Sequence, residues 1–155
     1  MGDPRRFDLF SSLIRQHFSL TAQIADVAGG KGYLQVALKE KGFTHITTFD
    51  KQRNPNKQRR EYRWFDNSII KPFDLLVGMH PDEATDVIII EAAKRKIPFV
   101  ICPCCVKPTI EPLWQSYTFQ NWMTHLGQMA YGKGFKLQEV ILPMNGRNKV
   151  LIGKF

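Results

Sequence analysis

A chain of 155 residues has room for one ordinary domain around a single core, and not for two full enzyme domains. Its apolar share of 43% and charged share of 23% exclude a chain dominated by disorder or low-complexity sequence. Twenty-two Lys and Arg against 14 Asp and Glu leave a formal charge of +8, which points to a polyanionic partner such as nucleic acid. No apolar run approaches the roughly 18 residues needed to cross a bilayer. Residues 1–10 carry acidic and basic side chains where a signal peptide needs an apolar stretch. The expectation is a soluble, cytoplasmic protein with no membrane partner. The three cysteines, Cys102, Cys104 and Cys105, are too crowded and odd in number for a disulfide framework and suit a reducing compartment.

In chain order, residues 1–22 read as an amphipathic helical extension with Phe7, Leu9, Phe10, Leu13, Ile14 and Phe18, which either caps the domain or docks on a protein partner. Residues 23–27 form a short apolar strand, and Ala28-Gly29-Gly30-Lys31-Gly32 a glycine turn. A helix follows from Tyr33 to Leu38 and stops at Gly42. Strands are expected at His45–Phe49, Tyr62–Phe65, Phe73–Val77 and Pro98–Ile101. Between the last two, Pro81–Arg95 reads as a helix, with Pro81, Asp82 and Glu83 at its positive end and Lys94, Arg95 and Lys96 at its negative end. A long helix is expected over Thr109–Tyr131, with Leu113, Tyr117, Trp122, Leu126, Met129 and Ala130 on its inner face. Two closing strands, Lys136–Leu142 and Lys149–Phe155, flank Asn145-Gly146, a tight-turn signal that pairs them antiparallel. The alternation describes an α/β sheet, parallel except at one edge.

A glycine turn between a strand and a helix lets a ligand approach the backbone, where free N–H groups and the helix dipole add a positive end. Two acids sharpen that reading: Asp26 just before the glycines, and Asp50 at the end of the next strand, where a carboxylate accepts ribose hydroxyls. Asp26-Val27-Ala28-Gly29-Gly30-Lys31-Gly32 resembles the first motif of the class I S-adenosylmethionine-dependent methyltransferases, Asp/Glu-x-Gly-x-Gly-x-Gly, with Ala28 in place of the first glycine. The likeness spans roughly residues 23–155. It implies a single Rossmann-like, three-layer α/β domain with a mostly parallel seven-stranded sheet and a C-terminal antiparallel hairpin, and S-adenosylmethionine as cofactor. It further implies Gly30 and Gly32 against the methionine end with Asp26, Ala28 and Gly29 nearby, Asp50 and Lys51 at the ribose, Asp66 and Asn67 at the adenine, and Gly78 among the cofactor-binding residues. Gly78-Met79-His80 after the fourth strand and the cysteines after the fifth are similar to a branch that includes RNA and tRNA methyltransferases. The links Phe49 to Tyr62 and Phe65 to Phe73 are too short for full crossover helices, which implies a pared-down member of the fold.

Methyl transfer from a sulfonium is an in-line displacement, so a site must orient the acceptor and, where needed, remove a proton. His80, leaving the fourth strand, is the candidate base or orienting donor; the competing reading has it bonded to backbone. Gly78-Met79-His80-Pro81 stands where many N-methyltransferases carry Asn/Asp-Pro-Pro-aromatic, which disfavours exocyclic amino acceptors. Cys104, after Pro103, is a candidate nucleophile for pyrimidine C5 chemistry, set against a packing role that the sequence favours. No metal is assigned, because adjacent cysteines lack the spacing of zinc ligands and no second pair exists.

From Lys51 to Arg63 run Lys51, Arg53, Lys57, Arg59, Arg60 and Arg63 against one acid, Glu61, with Tyr62 and Trp64 interleaved as stacking surfaces. The run leaves the carboxyl end of the second strand and is the candidate RNA contact; the plain alternative is a solvated loop. Three functions follow: an RNA methyltransferase, with tRNA processing as its context; a non-catalytic methyltransferase-like RNA-binding or scaffold module; and an NADP-dependent reductase in which Lys51 and Arg53 meet a 2′-phosphate.

Overall fold

The computed structural model describes residues 2–51, the backbone of 60–61, and residues 65–109 and 118–155. Three central strands are buried on both faces: β1 (Ile24–Val27), β4 (Leu75–Met79) and β5 (Phe99–Cys102). They are continuous apolar runs, as parallel strands covered on both sides require. The sheet runs β3-β2-β1-β4-β5-β7-β6, with β2 at Ile46–Phe49, β3 at Arg60–Glu61, β6 at Lys136–Ile141 and β7 at Lys149–Lys154. The pairs from β3 to β5 are parallel; β5–β7 and β6–β7 are antiparallel.

Alternation along each strand divides the core in two. Leu75, Val77 and Met79 of β4 face helix α1 (Arg6–His17) and helix α2 (Tyr33–Glu40), meeting Phe10, Ile14, Leu34 and Leu38. Leu76 faces α3 (Thr85–Arg95) and α4 (Phe119–Gly132), among Ile88, Ile89, Trp122 and Leu126. The N-terminal helix thus buries Phe10, Leu13 and Ile14 against the sheet. Where a crossover helix would lie between β3 and β4, Phe65 and Phe73 instead pack edge-on to Phe49, with ring centroids 4.9 and 5.7 Å away.

Several boundaries differ from the sequence expectation, each for a local reason. The helix expected from Pro81 begins as α3 at Thr85, after a single 3-10 turn over Asp82–Ala84. His80 and Asp82 hold φ of +54° and +55°, outside the range of an α-helix, so α3 cannot start before them. The third strand includes Arg60–Glu61; of the expected Tyr62–Phe65, Phe65 is buried outside any strand, and Tyr62, Arg63 and Trp64 lie outside the described residues. The long helix does not begin at Thr109, whose N–H and hydroxyl both donate to Asp86 at 2.7 Å. It begins as α4 after Thr118, whose Oγ1 caps the Asn121 N–H, and residues 110–117, with Leu113 and Tyr117, lie outside the described residues. The link from β6 to β7 is a loop over 142–148 rather than a tight turn. Asn148 Nδ2 organises it by donating to the carbonyls of Leu142 and Met144 at 3.2 Å.

Candidate active site

The turn after β1 is left-handed at every second residue. Residues 28, 30 and 32 have φ of +57°, +53° and +79°, so the glycines at 30 and 32 relieve strain that Ala28 carries. Gly29 is glycine for want of space: a Cβ there would stand 2.2 Å from Asp26 Oδ2 and 2.5 Å from Thr48 Cγ2. Asp26 is fully buried, and its Oδ2 accepts the Thr48 hydroxyl at 3.1 Å. The turn is laced to the end of β2, since Gly29 N–H donates to the Phe49 carbonyl and Gly30 N–H to Asp50 Oδ2 at 2.8 Å.

This turn floors a cavity of about 380 Å³ at the carboxyl ends of β1, β2 and β4. Phe49 and Phe65 form its apolar wall, Asp50 and Lys51 one rim, and His80 to Ala84 with Lys107 the other. Lys51 Nζ pairs with Glu83 Oε2 between the rims, and Lys107 Nζ with Asp82 Oδ1. The Cys105 thiol and the Lys107 ammonium, both donating to Asp82, hold its carboxyl below the usual range.

His80 also lines two smaller cavities. One, of about 230 Å³, includes Arg6, Phe7, Tyr33 and Met79; the other, of about 320 Å³, includes Asp3, Cys104, Asn145 and Arg147. His80 Nε2 lies 3.0 Å from the Arg147 carbonyl oxygen. A carbonyl only accepts, so Nε2 carries the hydrogen and, in the neutral ring, Nδ1 is the unprotonated nitrogen. Burial lowers the pKa of the ring; the Arg147 carbonyl opposes that shift and the Arg6 charge adds to it. Neutral imidazole is therefore favoured. Arg147 in turn sits 3.7 Å over the Phe119 ring, and Asp3 ties the N-terminus to this loop by accepting the Asn145 N–H at 3.0 Å.

No protein-family model matches the sequence, and no curated protein matches it. Among solved structures it is similar to an S-adenosylmethionine-dependent methyltransferase from Aquifex aeolicus, at 14% identity over 97% of this chain and 93% of that one, with a TM-score of 0.60. It is similar to the ribosomal protein L11 methylase of Lactobacillus delbrueckii subsp. bulgaricus, at 13% identity, 99% and 80% coverage and a TM-score of 0.72. It is also similar to the fibrillarin pre-rRNA processing protein of Methanococcus jannaschii, at 12% identity, 99% and 76% coverage and a TM-score of 0.65. The fold is that of the class I S-adenosylmethionine-dependent methyltransferases.

On this methyltransferase fold, Ala28, Gly30, Asp50, Lys51 and His80 come together around the large cavity. Asp26 and Gly29 line the 230 Å³ cavity, which shares Ala28, Gly30 and His80 with the large one, and Cys104 lines the 320 Å³ one. Gly32, Gly78, Asp66 and Asn67 line none of the three. Gly32 caps the start of α2, and Gly78 is closed over by Ile88 and Pro81, whose atoms stand 2.6 and 2.8 Å from where its Cβ would be. Asp66 Oδ1 accepts the Ser68 N–H of its own turn, and Asn67 Oδ1 faces Lys94 Nζ at 3.5 Å. Of the basic run, Lys51 reaches the cavity and Arg60 pairs through its backbone with Thr48 in β3; Arg53, Lys57, Arg59 and Arg63 lie outside the described residues.

The sequence reading missed Phe49, Phe65, Asp82, Glu83 and Lys107 as lining residues. Phe49 directly precedes Asp50 at a strand's carboxyl end, which was a usable signal. Asp82 and Glu83 were read as acids at a helix start, and nothing near Lys107 in sequence pointed to the cavity. Cys102 is fully buried, and burial pushes its thiol up to about 12. Burial and the Asp82 carboxylate raise the Cys105 thiol as well. Among the described residues no helix is long and apolar enough to cross a membrane.

Proposed function

We propose that the chain is an S-adenosylmethionine-dependent methyltransferase acting on RNA in the cytoplasm, with transfer RNA as the first substrate to test. Residues 23–155 form the cofactor-binding domain, and residues 1–22 an N-terminal extension offering a surface to a protein partner. The observation that carries the reading is the turn from Ala28 to Gly32, left-handed at alternate residues and bonded to the carboxylate that ends β2. Its fit to the cofactor is local. Gly30 leaves open space where a Cβ would stand, the buried Phe49 and Phe65 make the adjoining wall apolar where an adenine would lie, and Asp50 offers carboxylate lone pairs to ribose hydroxyls. When bound, the cofactor supplies a methyl group on a sulfonium, open to in-line displacement. His80 presents Nδ1 as the proton acceptor or orienting group for the incoming nucleophile, with its ring held by the Arg147 carbonyl.

The acceptor class does not follow from the fold, which also serves a ribosomal-protein methylase and a mitomycin O-methyltransferase. RNA is favoured by this chain's own charge: the basic run begins at Lys51 on the cavity rim, and a fibrillarin pre-rRNA processing protein is among the similar structures.

Thermal stability measured with S-adenosylhomocysteine, S-adenosylmethionine and NADPH in parallel tests the cofactor. Stabilisation by the first two is expected; stabilisation by NADPH alone would make the chain a reductase, and none at all a scaffold. For RNA, log affinity should fall linearly with log salt. Charge reversal at Arg59 and Arg60 should flatten that slope by roughly 0.7 for each phosphate no longer neutralised. Affinity indifferent to both would refute the RNA reading.

A further inference from the structure

Adjacent cysteines lack the spacing of zinc ligands, and on an extended chain their side chains point to opposite faces. Beyond the end of β5 the chain leaves the strand course, and the two sulfurs lie 3.4 Å apart. A third donor arrives from the turn after β4: Asp82 Oδ1 lies 2.9 Å from Cys105 Sγ. The three ligand atoms all fall within 4.8 Å of one another. We propose that Cys104, Cys105 and Asp82 bind a thiophilic divalent cation of the zinc type.

Zinc takes sulfur at about 2.3 Å and carboxylate oxygen at about 2.0–2.2 Å, so a tetrahedral site needs donor separations of roughly 3.6–3.8 Å. The two sulfurs are within a few tenths of an ångström of that. The shorter contact is a thiol-to-carboxylate hydrogen bond, which opens once the thiol proton is gone. On binding, two S–H bonds break, both protons leave to solvent, and two sulfur–metal bonds and one oxygen–metal bond form. Two thiolates and a carboxylate against a dication leave one negative charge, which the Lys107 ammonium beside Asp82 neutralises. Two thiolates select a soft ion over magnesium or calcium. Three protein ligands leave a fourth position for water, and Asp82 and Lys107 line the 380 Å³ cavity, so the ion would stand at its wall. The proposal goes beyond the methyltransferase reading and does not depend on it.

The test uses the full chain, free of a polyhistidine tag and reduced with a phosphine. Zinc is titrated against a chromophoric chelator, and cadmium by its ultraviolet thiolate-to-metal band. One equivalent and a two-thiolate band are expected. Cys104→Ser and Cys105→Ser should each weaken binding about tenfold or more and halve the band. Asp82→Asn should weaken binding with the band retained, and Cys102→Ala should change neither. No binding, binding that survives both serine variants, or binding lost with Cys102 would overturn the site. A second measurement needs no variant: zinc should protect Cys104 and Cys105 of the unaltered chain from iodoacetamide, read by peptide mapping. Equal labelling with and without zinc, or a Cys104–Cys105 disulfide as the sole product of metal treatment, would also overturn it.

Discussion

Gly29→Ala is expected to be the most damaging single-methyl addition in the glycine turn, although Gly29 is the glycine there whose backbone any residue could adopt. Its new Cβ would stand 2.2 Å from Asp26 Oδ2, 2.7 Å from Asp26 Cγ and 2.5 Å from Thr48 Cγ2. Ordinary contact begins near 3.4 Å, so a buried carboxylate and its hydrogen-bond donor must move by about an ångström. Overpacking costs about 1–3 kcal/mol. Loosening the Thr48–Asp26 bond, with the acceptor side chain at zero exposure, adds about 1–3 kcal/mol. A loss near 3 kcal/mol lowers the melting temperature of a domain this size by roughly 6–12 °C. Gly30→Ala is the matched control. It meets nothing within 4 Å and bears only the strain of φ +53°, about 1–2 kcal/mol, partly offset by a stiffer unfolded chain. Thermal unfolding followed by circular dichroism, with urea slopes checked for constancy, measures both. Adding Thr48→Ser to Gly29→Ala removes the Cγ2 methyl while keeping the hydroxyl and should recover part of the loss, a coupling seen only between neighbours. Equal melting temperatures for the two alanine variants, or no recovery in the double variant, would refute the argument.

Thr48→Val leaves the buried Asp26 Oδ2 without its hydroxyl donor and should cost about 1–3 kcal/mol in urea unfolding, while an exposed Thr44→Val change stays within about 0.5 kcal/mol. His80 has a folded pKa below its ordinary 6.5, so the unfolded chain binds the proton more readily. The stability from keeping it neutral is therefore full above about pH 6.5 and declines as pH falls from there towards the depressed folded value. His80→Asn, which tolerates positive φ, should flatten stability against pH across that window; His17, also depressed by burial, keeps a residual slope in both proteins. Gly153→Ala would set a Cβ 2.2 Å from the Phe99 ring across the β5–β7 pair and should cost about 1–3 kcal/mol, recovered in part by Phe99→Leu.

The central strands and the turn were legible because each rests on local pattern: the apolar runs of β1, β4 and β5, and glycines flanked by Asp26 and Asp50. What escaped depends on backbone hand and on contacts between distant segments. The left-handed residues His80 and Asp82 delay α3, and no propensity argument predicts positive φ at a histidine or an aspartate followed by a good helix sequence. Lys107 reaches the cavity only because the chain after β5 turns back over the end of β4, which brings it to Asp82. The cysteine pair escaped for the same reason, since spacing along the chain says nothing of where the sulfurs point after a strand ends. Asp66 is a different case: it lines none of the three cavities, and its Oδ1 accepts the Ser68 N–H of its own turn, a bond that neighbouring residue types alone do not announce.

The bonds from Gly29 to Phe49 and from Gly30 to Asp50 make the cavity floor part of the sheet rather than a loop hung from it. A turn ordered by folding need not be ordered again by its ligand, so binding there forgoes an entropic penalty that flexible phosphate and cofactor loops bear on every cycle. The amides of Gly29 and Gly30 should accordingly exchange slowly with solvent deuterium before any ligand is added. A ligand would change the chemical shifts of these amides far more than their rates of exchange.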